Sequence, residues 1–294
     1  MHMPQWQGSI PTADTLGEGV LWHPGQQAVW WTDIHGRRLH RLDWGSHDLQ
    51  TWTTPERLTA FGFIDDSEQL VASFDGGFAL YHPHSGDYQW LARPERHLPG
   101  NRFNDGKVDR QGRFWAGSMV EQGSDLQTEK GSLYCWGEGQ QAQRHLRGIG
   151  IANGLCWSPD SRTAYLSDSA EGLYYAYDFE PHSGSFSNRR VFAQTPKGVG
   201  PDGSCVDARG NVWNAQFGGG QVVCYSPRGE VLLALPVPVS QPTCVAFGGP
   251  DLSWLLVPPR GSICPKRSWP RSRRRGMLMY QTDVQGLPVD FFRG

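Results

Sequence analysis

Along this chain the apolar residues come in short alternating runs, each closed by Gly, Asp, Asn, Ser or Pro, and the spacing of a helix face is almost absent. The pattern predicts strands joined by tight turns. It also recurs. Units begin at Gly19 (GVLWHPGQQAVWWTDIHGRRLHRLDW), Gly62 (GFIDDSEQLVASFDGGFALYHP), Gly106 (GKVDRQGRFWAGSM), Gly154 (GLCWSPDSRTAYLSDSAEGLYYAYDF), Gly203 (GSCVDARGNVWNAQFGGGQVVCYSP) and Thr243 (TCVAFGGPDLSWLLV). Their start-to-start intervals are 43, 44, 48, 49 and 40 residues. Each unit reads as four apolar strands separated by polar turns, which is how a propeller blade looks in sequence. One such sheet cannot bury both faces alone, whereas blades stacked around an axis bury one another and leave only short edges. The expectation is an all-β fold, a six-bladed β-propeller with four-stranded antiparallel blades, spending residues 1–294 on a single domain. The segment QWQGSI (Gln5–Ile10) is expected to lend a strand to the last blade and latch the ring. A parallel α/β arrangement is excluded, because the connections are too short to hold crossover helices.

Composition narrows the class. Hydrophobic residues make up 38% and charged residues 19% of the 294, the difference being taken by 37 Gly, 21 Pro and 13 Trp. So many aromatic residues argue against disorder, since disordered chains lack the surface that offsets ordering entropy. The 27 basic and 29 acidic residues leave a net charge of −2, which excludes a uniformly basic nucleic-acid binder. There is no apolar run long enough to span a membrane, and Met1–Thr15 has neither the basic nor the apolar part of an export signal. Cys135, Cys156, Cys205, Cys224, Cys244 and Cys264 include no C-x-x-C pair. Reduced, structural cysteines and a cytoplasmic location are the expectation. The ten histidines are scattered and no G-x-S-x-G elbow occurs, so a serine nucleophile is unsupported.

The chemistry lies where polar residues interrupt the repeat. Glu18 in LGEGVLW, Asn104 and Asp105 in NRFNDGKV, Asn153 in IANGLCW and Asp202 in GPDGSCV all stand at one phase, just ahead of an apolar run that should be an innermost strand. Asn-Gly and Asp-Gly are ordinary turn dipeptides, so any one of these is explained by a turn. Their recurrence at one phase, with a glutamate among them, points instead to a set converging on the channel mouth. Glu, Asn and Asp oxygens are hard donors that suit Ca²⁺, Mg²⁺ or Mn²⁺, and Zn²⁺ also accepts carboxylates. Asp168 in LSDSAEG reads as a hydrogen-bonded turn residue, and the Trp residues as packing between blades.

Taken together the motifs LGEGVLWHP, NRFNDGKVDRQGRFWAGSM, GSLY, IANGLCWSPD, SNRRVF, PDGSCVDARGNVWNAQFGGGQVVCYSP and TCVAFGG resemble, in order, those of the SMP-30/gluconolactonase/regucalcin-like sugar-lactone hydrolases, from Glu18 to about Val257. The resemblance implies a propeller with one divalent ion (Ca²⁺, Zn²⁺, Mn²⁺ or Mg²⁺) on its axis. It implies Glu18, Asn153 and Asp202 as metal ligands, Asp202 also as general base, and Arg102, Asn104 and Glu121 as contacts to a sugar lactone. The reaction implied is metal-dependent hydrolysis of an aldonolactone to the sugar acid. The alternative is a non-enzymatic propeller in which the same residues hold calcium or a partner, although a purely structural ion has no need of Arg102 and Asn104 beside it. Neither nucleic acid nor membrane is expected as a partner. The resemblance stops at residues 258–275, where Lys266 to Arg275 carry six positive charges in ten residues. That run reads as a solvated loop, and a pair of compensating reading-frame slips in the gene would also produce it.

Overall fold

The computed structural model describes residues 1–137, 139, 141–261 and 276–294, so the basic run from Lys266 to Arg275 and Cys264 lie outside the described residues. Strand β1 (Gln5–Ile10) precedes the first blade. Blade one is β2 (Gly17–His23), β3 (Ala28–Asp33), β4 (Arg38–Asp43) and β5 (Leu49–Thr53). Blade two is β6 (Leu58–Phe63), β7 (Leu70–Phe74), β8 (Gly77–Tyr81) and β9 (Tyr88–Ala92), and blade three is β10 (Asn101–Val108), β11 (Phe114–Val120), β12 (Gly131–Trp136) and β13 (Gln143–Ile149). Blade four is β14 (Ala152–Trp157), β15 (Thr163–Asp168), β16 (Leu173–Glu180) and β17 (Ser185–Gln194). Blade five is β18 (Gly200–Val206), β19 (Val212–Phe217), β20 (Gln221–Tyr225) and β21 (Val231–Pro236). Blade six takes β22 (Ala246–Gly248), β23 (Trp254–Val257) and β24 (Met277–Gln281) from the C-terminal part and β1 as its outermost strand, antiparallel to β24. This is the expected six-bladed propeller, and Gln5–Ile10 is its latch.

Alternation explains the packing. Each blade turns apolar side chains to both neighbours, and the core accordingly divides into six clusters, one at each blade interface. Trp31, Trp115 and Trp213, fully buried on second strands, sit in three of them, as the sequence predicts for its tryptophans. The turns leaving two innermost strands share a device. In DRQGRFW and DARGNVW the aspartate carboxylate accepts the backbone N–H groups two and four residues on, and then the indole N–H of the tryptophan. Asp109 does so from Gln111 and Arg113 at 3.0 Å each and from Trp115 at 2.8 Å. Asp207 does so from Arg209 and Asn211 at 2.9 Å each and from Trp213 at 3.1 Å. Gly112 and Gly210, with φ of 82° and 84°, supply the left-handed residue these turns need.

At the other end, where the innermost strands begin, a hydrogen bond crosses every blade interface. Thr32 Oγ1 donates to Leu58 O (2.8 Å), Phe103 N to Asp75 O (3.0 Å), Asn104 Nδ2 to Ala152 O (3.1 Å) and Ser167 Oγ to Pro201 O (2.8 Å). Gly203 N donates to Thr243 O (2.8 Å), and the Thr243 hydroxyl donates to Gly17 O, which closes the circle. We call this the upper end of the channel. The lower end is crossed by the C-terminal segment, which bonds to four blades: Ala208 N to Gln285 O (2.8 Å), Gly286 N to Leu252 O (2.8 Å), Phe292 N to Phe63 O (2.7 Å) and Arg293 N to Gly112 O (3.0 Å).

Candidate functional site

The polar residues singled out in the sequence lie inside the innermost strands, not ahead of them. Each occupies or adjoins a β-bulge. In β2, Glu18 faces Thr32 while Leu21 faces Trp30; in β10, Phe103 faces Ser118 and Gly106 faces Ala116. In β14, Asn153 faces Ser167 and Cys156 faces Tyr165, and in β18, Pro201 faces Gln216 and Ser204 faces Asn214. Three steps on the inner strand thus match two on its partner, so one extra residue is inserted each time. The insertion breaks the strict alternation of a strand and re-aims one side chain toward the channel while the rest stay on the blade interfaces. Gly19 and Gly154 take φ of 58° and 64° at these bulges, and a Cβ at Gly154 would stand 2.8 Å from Ser167 Oγ and 2.9 Å from Asp202 O.

Glu18, Arg102, Asn104, Asn153 and Asp202 are all at least nine-tenths buried. A chain of hydrogen bonds links three blades. Arg102 Nη1 donates to Asn104 Oδ1 (2.8 Å), Asn104 Nδ2 to Asn153 Oδ1 (2.7 Å), Asn153 Nδ2 to Ser169 Oγ (2.8 Å) and Ser169 Oγ to Pro201 O (2.7 Å), the residue before Asp202. Both amides are thereby fixed in orientation. The carboxylates have less support: Glu18 Oε2 accepts one backbone bond from Gly19 (3.3 Å), and Asp202 Oδ1 one from Gly203 (3.1 Å). Burial, and then the charges of Asp202 and Asp105, push the Glu18 carboxyl well above the usual range. Burial followed by Asp105 does the same to Asp202. Asp105 is itself raised by burial, with Lys107 the main opposing charge. Three carboxyl groups from blades one, three and five therefore share one poorly solvated space.

At the mouth, two guanidinium groups pinch one carboxylate. Glu121 Oε2 lies 3.1 Å from Arg102 Nε and 2.9 Å from Arg57 Nη2, and Arg57 Nε reaches Asp75 Oδ2 at 2.5 Å. Partial burial works to raise the Glu121 carboxyl, but Arg102 and Arg57 outweigh it and hold the group below its ordinary value. Arg57 and Asp75 escape a reading of the sequence, because an arginine in the loop TTPERL carries no local signal. Asn214 did leave one. It is a fully buried amide in the apolar strand VWNAQF, and it donates to Asp202 O (2.7 Å) and Ser204 Oγ (2.9 Å), fixing the bulge behind Asp202. Asp168 has the turn role expected of it, accepting from Gly150 (2.7 Å), Ile151 (3.0 Å) and Ala170 (3.1 Å). Cys135, Cys156, Cys205, Cys224 and Cys244 are free thiols.

Among the described residues no three His, Cys, Asp or Glu side chains form a metal cluster on their own. The set at the upper end differs in having an amide as its third member. Its donor chemistry fits a divalent cation: two carboxyl groups that repel one another in a buried space, with a third close by and an asparagine oxygen whose orientation is fixed. A cation among them would offset the burial and the repulsion that raise their pKa values.

A family model described as the SMP-30/gluconolactonase/LRE-like region matches residues 16–258. The chain belongs to this family. The match ends where the sequence motifs end, just before the basic run. Among relatives, a 6-deoxy-6-sulfogluconolactonase of Pseudomonas putida is 36% identical over 244 residues, 82% of each chain. An L-arabinolactonase of Azospirillum brasilense is 36% identical over 240 residues, 81% of this chain and 79% of that one. A solved structure described as a calcium-binding protein, regucalcin, from Agrobacterium tumefaciens strain C58 superposes with a TM-score of 0.86 at 30% identity, covering 99% of this chain and 98% of that one. The bulged inner strands of this SMP-30/gluconolactonase-like chain thus carry its candidate site.

Proposed function

We propose that the chain hydrolyses a sugar lactone to the sugar acid, with a divalent cation held by Glu18, Asn153 and Asp202 and with Asp202 as general base. The coarser statement, that it is a lactonase, rests on its family and on the lactonases among its relatives. The observation that carries the finer one is the convergence of two mutually repelling buried carboxyl groups with an oriented amide, beside an arginine fixed at the mouth. The regucalcin described as calcium-binding supports a cation without identifying it as Ca²⁺, Zn²⁺, Mn²⁺ or Mg²⁺.

A bound cation supplies Lewis-acid polarisation of the lactone carbonyl and offsets the charge that develops on its oxygen. The protein's own groups do the rest. Arg102 is held from one side by Glu121 and bonded through Nη1 to Asn104 and to Phe103 O (2.9 Å), so its planar fork is preorganised for the hydroxyl and ring oxygens of a polyol. Asp202 takes a proton from the water that adds to the carbonyl carbon. The ester C–O bond of the ring then breaks, and the proton held by Asp202 is available to the departing alkoxide, leaving a hydroxy acid. Burial raises the basicity of Asp202, and ligation would lower it. The test is hydrolysis of glucono-, galactono-, arabino- and xylonolactone by metal-stripped protein before and after defined cations are restored. Turnover that returns with the cation supports the proposal, and equal turnover without it overturns the metal role.

A further inference from the structure

Glu95 is a buried carboxylate that the lactonase chemistry leaves unused. It stands in the connection from β9 to β10 and reaches into blade three. Its Oε1 accepts the hydroxyls of Ser118 on β11 (2.7 Å) and Tyr134 on β12 (3.1 Å), and its Oε2 accepts Asn101 Nδ2 (3.0 Å). All three donors are neutral. Packing alone would be served at less cost by an apolar side chain.

Asn101 links this carboxylate to the site. It opens β10 opposite Val120 and directly precedes Arg102. Its amide clamps the backbone of Glu129: Nδ2 donates to Glu129 O (2.8 Å) and Oδ1 accepts from Glu129 N (3.3 Å). Gly100 beside it donates to Gln127 O (3.0 Å) and accepts from Glu121 N (2.9 Å). A Cβ at Gly100 would overlap Thr128, so the two segments are in close contact. Both ends of the loop 121–130, which joins β11 to β12, are thus tied to one dipeptide. Apart from the grip of Arg57 and Arg102 on Glu121, little else holds this loop. Its residues are mostly exposed, and its one large apolar side chain, Leu126, is 56% exposed.

We propose that Glu95 and Asn101 are positioning residues for lactone binding: Glu95 fixes the Asn101 amide, Asn101 fixes the loop 121–130, and the loop sets Glu121 against Arg102. The kinetic consequence rests on the lactonase reading, whereas backbone protection of the loop does not. Asn101→Ala should raise KM for the lactone by about tenfold and change kcat by less than about threefold. In a Glu121→Gln background the same substitution should change KM little, because both act through one link. Glu95→Ala should match Asn101→Ala. Glu95→Gln should keep KM near wild type, since its oxygen can face Asn101 while the Ser118 and Tyr134 hydroxyls turn to accept its amide. If Glu95→Ala does not fold, Glu95→Asp, whose carboxylate is one methylene short of Asn101, takes its place with the same expected rise in KM. Hydrogen exchange in Asn101→Ala should quicken by about tenfold or more at the Gly100, Glu121 and Glu129 amides and stay as in wild type within β11 and β12. If the wild type opens no lactone, the substrate reading alone fails and exchange decides this one. Unchanged exchange at those three amides, an equal fall in kcat and kcat/KM for Asn101→Ala, or KM effects that add with Glu121→Gln, would overturn the proposal.

Discussion

The two ends of the channel are built by the same innermost strands and yet are chemically opposite. At the upper end each of β2, β10, β14 and β18 inserts one extra residue and presents a carboxyl or amide group to the axis. At the lower end pairing is regular, the side chains are mostly apolar, and the C-terminal segment closes the floor. In these four strands a bulge is what separates the candidate site from the packing. It lets a strand that must bury both faces between blades give up one position to chemistry without losing its register elsewhere. The cost appears as raised carboxyl pKa values at the upper end, where the groups are buried and like charges crowd together.

The sharpest way to break this contrast is Asp202→Asn. It should lower kcat/KM by about a thousandfold or more, because on the proposed function it removes the base and a cation ligand together. It should leave the melting temperature of metal-stripped protein unchanged or higher, because it also removes a repelling charge. Retention of activity within tenfold would mean that the upper bulges are structural only. Next in size is Asp207→Ala at the lower end. It leaves the N–H groups of Arg209, Asn211 and Trp213 without their acceptor, the last two of them buried, so unfolding free energy should drop by about 3 kcal/mol or more in chemical denaturation. A loss below about 1 kcal/mol would show that this turn is not a keystone of the floor.

Smaller effects sharpen the division. Arg57→Ala releases one side of Glu121 and should raise KM for the lactone by about tenfold with a lesser change in kcat, while Arg57→Lys, which has no fork to span Asp75 and Glu121, should restore only part. An equal fall in kcat for both variants would place Arg57 in the chemical step instead. The smallest expected effect concerns Asp290, which burial holds at about 6. Its unfolded value lies near 4. The folded protein therefore binds the extra proton, and the resulting stabilisation is complete below about pH 4 and lost as the pH rises through about 6. Asp290→Asn should accordingly melt a few degrees higher than wild type at pH 8 and no higher at pH 4. A gain confined to pH 4 would reverse the assignment.

Much of this was legible in the chain. The repeat from Gly19 to Thr243 gave the blade number, and the alternation of QWQGSI gave the latch, because blade packing and strand pairing follow directly from the two-residue period. Glu18, Asn104, Asn153 and Asp202 stood out as polar breaks at one phase of the repeat. Their placement ahead of the strands did not hold, since a bulge adds a residue without any unusual composition and so extends the strand through the break. Arg57, Asp75 and the channel-facing Lys107 were hidden for a different reason. Their roles arise from contacts between blades far apart in sequence, such as Arg57 with Glu121 and Lys107 with Ser204, and no local pattern encodes those.

The central claim is that carboxyl groups from two blades and an amide from a third hold one divalent cation at the upper end. Calorimetric titration of metal-stripped protein with Ca²⁺, Mg²⁺, Mn²⁺ and Zn²⁺ in turn tests it without reference to turnover. The account predicts one site per chain for at least one of these ions, lost in Glu18→Gln and in Asp202→Asn, both of which should still unfold cooperatively. Binding that persists undiminished in the double variant, or no binding by the wild type, would contradict it.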